Sequence, residues 1–147
     1  MKDRIHLETL FEKVLGDKID DFIMPPPSFT IFDSEVIEFN EETQSICVEM
    51  AVPDFSLNPY GTMQGGMIVA ALDNAIGPLS MLVAPLNMTR RMSTDYIRPI
   101  KQEMGKVYAR ARLVEQRRKR LFFEASLEDK DGKVYIKATA ENWVIGS

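Results

Sequence analysis

The chain has 147 residues, 45% hydrophobic and 27% charged, with 18 basic against 22 acidic side chains for a formal net charge of -4. That length suits one domain with a sizeable core, and the composition excludes wholesale disorder and a membrane-embedded chain. A mildly acidic chain gains nothing from counterion release on a polyanion, so no nucleic-acid partner is expected.

The amino terminus carries no apolar stretch of the signal-peptide kind, and a cytoplasmic location is the expectation. Leu7, Leu10, Phe11 and Leu15 recur at helical spacing, predicting a short amphipathic helix within a lead-in of residues 1–24. Pro25, Pro26 and Pro27 forbid helix and predict an extended segment. The pattern then changes to period two. Val36 to Phe39 and Ile46/Val48/Met50/Val52, either side of a polar turn over 40–43, predict a strand pair. A loop with Pro53, Asn58, Pro59 and Gly61 follows.

Residues 65–83 are apolar almost all round, which predicts a helix buried on most sides. Asp73, Asn74 and Pro78 interrupt it and argue against a membrane span. Beyond Pro85 the pattern is β to the end. Met92/Thr94/Tyr96, Val107 to Leu113, Leu121 to Leu127 and Val134 to Ala140 alternate, with turns at Gln116–Lys119 and Asp131-Gly132. Each strand has one apolar face, so the sheet is antiparallel and covered on one side. The buried helix is the element long enough to cover it. The expectation is a single α+β domain over residues 1–147, a curved sheet of about six strands round a central helix.

The chain has one histidine, His6, and one cysteine, Cys47. They exclude a disulfide framework, a His- or Cys-based metal site within one chain, and a convincing Ser-His-Asp triad. No metal or cofactor is expected. Chemistry must then come from carboxylates, amides, hydroxyls and backbone, and these are densest between Asn58 and Asp73. Gly65 and Gly66 open the central helix with free N–H groups, and lacking side chains they let a carbonyl oxygen approach. Asn58 and Gln64 are neutral amides able to orient a carbonyl or a water.

Asp73 lies mid-helix among apolar neighbours, where a carboxylate is costly without partners. Seven residues separate it from Gly66, roughly 10 Å of helix rise, too far for one small reacting group. A shared site across a two-fold dimer would resolve that distance. Each feature also has a plainer explanation. Gly-Gly can be a tight turn, a helical Asp can cap a loop, Thr89 and Ser93 can be structural hydroxyls. Met63, Met67, Met81, Met88 and Met92 can be core or pocket lining, and Arg117-Arg118-Lys119-Arg120 a solvated turn or a phosphate-holding cluster.

Taken together, the string N-P-Y-G-T-M-Q-G-G from Asn58 to Gly66, followed by Asp73, resembles hotdog-fold thioesterases of the phenylacetate-degradation (PaaI-like) type, in the 4-hydroxybenzoyl-CoA thioesterase superfamily. The P-P-P-S-F segment, S-T-D-Y-I-R-P-I from Ser93 and the strand ending in Ala138-Thr139-Ala140 extend the likeness from about Pro25 onward. The resemblance implies a homodimer with a continuous sheet, commonly a dimer of dimers, hydrolysing acyl-CoA. By position, Gly65 would supply the oxyanion N–H, Asn58 would face the thioester carbonyl, and Asp73 of the other subunit would be base or nucleophile. Thr89 would help hold the water. Gln64 stands where many members have His, and it cannot shuttle a proton. Gly66, Tyr60, Met63, Met67, Arg117 and Arg118 would contact substrate. A non-catalytic acyl-CoA-binding module and an enoyl-CoA hydratase are the rival expectations.

Overall fold

A computed structural model describes residues 4–146; residues 1–3 of the predicted lead-in and Ser147 lie outside the described residues. Helix α1 spans Leu7–Leu15 and turns Leu7 and Phe11 into the core, the burial of Phe11 contributing about 2 kcal/mol. After a 3₁₀ turn at Gly16–Asp21 comes α2, Pro27–Thr30. This corrects one expectation. Pro27 does not extend the chain but starts a helical turn, because the first helical position needs no N–H and proline's fixed φ already suits it.

Strands β1 (Glu35–Asn40) and β2 (Ser45–Ala51) form the predicted hairpin. Helix α3 occupies Gly65–Val83, the predicted range. Strands β3 (Asn87–Tyr96), β4 (Lys106–Arg117), β5 (Arg120–Glu128) and β6 (Val134–Val144) complete one sheet in the order β1-β2-β4-β5-β6-β3. All five pairings are antiparallel. Strand β3 starts five residues earlier than its alternation predicts, and a bulge between Thr89 and Arg91 accounts for the broken pattern.

The sheet curves round α3, whose Ala71, Leu72, Ala75, Ile76 and Leu79 are wholly buried against it. Small residues in that row let the strands approach closely. Their partners are the inward residues of the strands, among them Val48, Met50, Val107, Ala109, Phe123, Leu127 and Ile136. By length and apolar content α3 would pass for a membrane span, and here it is the core element of the sheet's concave side. Strand β3, which pairs only with β6, forms one sheet edge, and most of its residues are exposed.

Candidate functional site

The amino end of α3 is prepared by the loop before it. Asn58 Oδ1 accepts the N–H groups of Tyr60 (3.0 Å) and Thr62 (3.1 Å), while its Nδ2 donates to Thr62 Oγ1 (2.9 Å). Gly61, at φ 81, makes the turn that only a residue without Cβ adopts freely. The Met63 N–H then donates to the Ile100 carbonyl and the Gln64 N–H to the Ser56 carbonyl, which aims the chain into the helix. Gln64 is the N-cap: its Oε1 accepts from the Met67 N–H at 3.1 Å. The Gly65 and Gly66 amides come ahead of the first intrahelical bond, from the Ile68 N–H to the Gln64 carbonyl, at the positive end of the helix dipole.

Tyr96, at the end of β3, locks this terminus. Its hydroxyl donates to the Gly65 carbonyl at 3.0 Å, and a Cβ on Gly65 would stand 3.2 Å from that oxygen. Gly65 therefore permits the ring's close approach. Met63, Gly65, Ile68 and Tyr96 line a cavity of about 280 Å³ there. Met63 is buried and Met67 half-buried against the core, whereas Tyr60 is 91% exposed.

Asp73 faces a different space. Thr89 Oγ1, on β3, donates to Asp73 Oδ1 at 3.1 Å, so the predicted hydroxyl does meet the predicted carboxylate. Burial pushes the Asp73 pKa above the ordinary aspartate value, and the Thr89 hydrogen bond pulls partly the other way. Asp73 and Thr89 lie on the wall of a second cavity of about 280 Å³, closed on its far side by the lead-in. Asn74 ties α2, just beyond that lead-in, to α3 through Nδ2, which donates to the Ser28 carbonyl at 2.8 Å.

One chain thus holds the pieces in two places. Gly65 and Asp73 line separate cavities, eight residues and roughly 12 Å of rise apart along α3. The arginines are in neither. Arg117, at the β4–β5 turn, grips Glu115 (2.9 and 3.1 Å from one nitrogen) and lies over Phe122, and Arg118 takes the left-handed conformation of the turn. In the sequence Tyr96 is an alternating strand residue within S-T-D-Y-I-R-P-I, with no role attached to its hydroxyl. Its hydroxyl's partner is 31 positions away, so no local signal points to it.

A family model of the thioesterase superfamily matches residues 60–136. No curated protein matches the chain by sequence. Among solved structures, a phenylacetic acid degradation-related protein of Ralstonia eutropha is 25% identical, with a TM-score of 0.77 over 92% of this chain and 98% of its own. A Streptococcus mutans protein bound to acetyl CoA is also 25% identical, at a TM-score of 0.69 over 76% of this chain and 88% of that one. Escherichia coli PaaI, 14% identical, superimposes at 0.77 over 97% and 98%. The shared architecture is the hotdog fold.

Proposed function

We propose that this chain, which belongs to the thioesterase superfamily, hydrolyses acyl-CoA thioesters with Asp73 as its general base. The observation that carries the reading is the Asp73–Thr89 pair: a carboxylate partly removed from water, pinned by a hydroxyl and facing a cavity. A folded chain gains nothing in stability from a half-buried carboxylate with a raised pKa, whereas a base gains strength from it. The ligand class is supported by the Streptococcus mutans relative, which was solved with acetyl CoA bound.

In the proposed reaction Asp73 takes a proton from water as the water oxygen attacks the thioester carbonyl carbon. The carbonyl electron pair moves onto oxygen, where the Gly65 N–H of a second copy meets it. The C–S bond then breaks, and the proton held by Asp73 returns to the CoA sulfur. Asn58, bonded three times within its own loop, acts by holding the Gly65 end in shape, with Gln64 capping it. The two halves belong to different subunits because 12 Å separates them within one. The exposed β3 edge is where a two-fold partner would extend the sheet.

The test is thiol release from acyl-CoA by the purified chain and by Asp73→Ala. Turnover should fall by roughly two to four orders of magnitude in the variant, with the fold unchanged. Near wild-type turnover in Asp73→Ala would remove the carboxylate from the mechanism. Tight acyl-CoA binding without CoA release by the wild type would make the chain a binding module instead.

A further inference from the structure

We propose that the cavity beside Asp73 receives the acyl group, lying along α3, and that Gly77 and Met81 set the length it accepts. This rests on the thioesterase reading above. Asp73, Gly77 and Met81 follow one another at four-residue spacing, so they share one face of the helix, and all three line the same cavity. From the carboxylate to Met81 is roughly 12 Å of rise.

Gly77 makes the trough. A Cβ built there would meet no neighbouring atom within 4 Å, although a mid-helix glycine is less favourable than alanine. Pro78 supplies a backbone reason for it, since a side-chain-bearing residue before proline is pushed away from helical angles. The outcome is the same: the helix surface is hollow one turn from the carboxylate, and Met81 lines the same hollow one turn later.

The opposite wall is Leu7, Phe11, Met24 and Phe29, all of them ahead of the region that the superfamily model matches. These side chains favour hydrocarbon on their side, while Ser28, Asn74, Ser80 and Asn87 line the same cavity with polar groups. The cavity also has one polar feature that packing leaves unexplained. Asn142 is 1% exposed and gives its Nδ2 to Asn87 Oδ1, but its own Oδ1 finds no donor among the described residues. Asn142 lines this same space. At about 280 Å³ the space equals roughly nine times the ~30 Å³ share of a liquid water. That is room for a straight acyl chain of medium length.

The test is a chain-length profile of thiol release, from acetyl-CoA to dodecanoyl-CoA, with the full chain. Gly77→Leu should lower the ratio of kcat/KM for the longest accepted acyl group to that for acetyl by roughly tenfold or more. Met81→Ala, on a half-buried side chain, should shift the optimum to longer chains, and it answers the question if Gly77→Leu does not fold. Unchanged profiles, or an equal fall at every length in both variants, would overturn the acyl-pocket assignment. With Asp73→Ala still inactive in the same assay, that result would leave the thioesterase reading standing. Failure of the wild type on every thioester would strike the reading itself.

Discussion

The amino end of α3 and its middle are built on opposite physical terms. In the proposed mechanism the working group at Gly65 is backbone, and three polar side chains near it are tied: Asn58 to its loop, Gln64 to the Met67 N–H, Tyr96 to the Gly65 carbonyl. At Asp73 the working group is a side chain, held by one hydroxyl against a hollow. The first is a rigid donor that costs the fold little; the second is an acid kept short of solvent against the fold's interest. Rigidity suits a group whose task is to be in place before charge develops. A strained environment suits a group whose task is to change protonation state.

The Asp73→Ala loss is the largest effect this contrast predicts. Next is Gly65→Pro, which removes the N–H while keeping the helix: proline is accepted at the first helical position, and Gln64 at φ -66, ψ 141 already has the angles that precede proline. With Tyr96 yielding a few tenths of an ångström, kcat should fall by roughly a hundred- to a thousandfold. An active Gly65→Pro would move the oxyanion donor elsewhere.

Mixing the two dead variants asks whether the ends serve one site between subunits. After joint refolding, random pairing gives hybrids with one intact site, and about a quarter of wild-type activity should return. No recovery would place both halves within one chain.

A smaller effect is expected in pH dependence. The base must be ionised, so kcat/KM falls as pH drops through the raised Asp73 pKa. Thr89 lowers that pKa; Thr89→Val should therefore move the acid limb of the profile to higher pH. A move to lower pH would show that Thr89 acts on something other than Asp73. Tyr96→Phe should be smallest, a few-fold loss in kcat with KM little changed, because the ring still packs on Gly65 and only one hydrogen bond is lost.

Much of this was legible in the residues. The apolar run from Gly65 to Val83 could be only a buried helix, and period-two strands each with one apolar face needed it as cover. The Asn58–Asp73 motif and Thr89 were named from the residues, and the Thr89–Asp73 hydrogen bond joins two of those candidates. The misses have physical causes. Pro27 forbids a helix interior yet suits a helix start, and Arg90 and Arg91 at the bulge hid the first half of β3. The separate cavities, the Tyr96 contact and the wall formed by the lead-in arise from tertiary packing. No periodicity encodes them.

The edge of β3 carries one more consequence, in the language of association rather than catalysis. A ten-residue exposed edge offers unpaired backbone donors and acceptors to any strand that arrives, and is a hazard for uncontrolled β-association. This one is punctuated by Arg90, Arg91 and Asp95, which discourage an arbitrary apolar strand. Two copies laid antiparallel about the Met92–Ser93 midpoint would set Arg90 opposite Asp95 twice over. The charges that repel strangers would then become, for a second copy of the same chain, a matched pair.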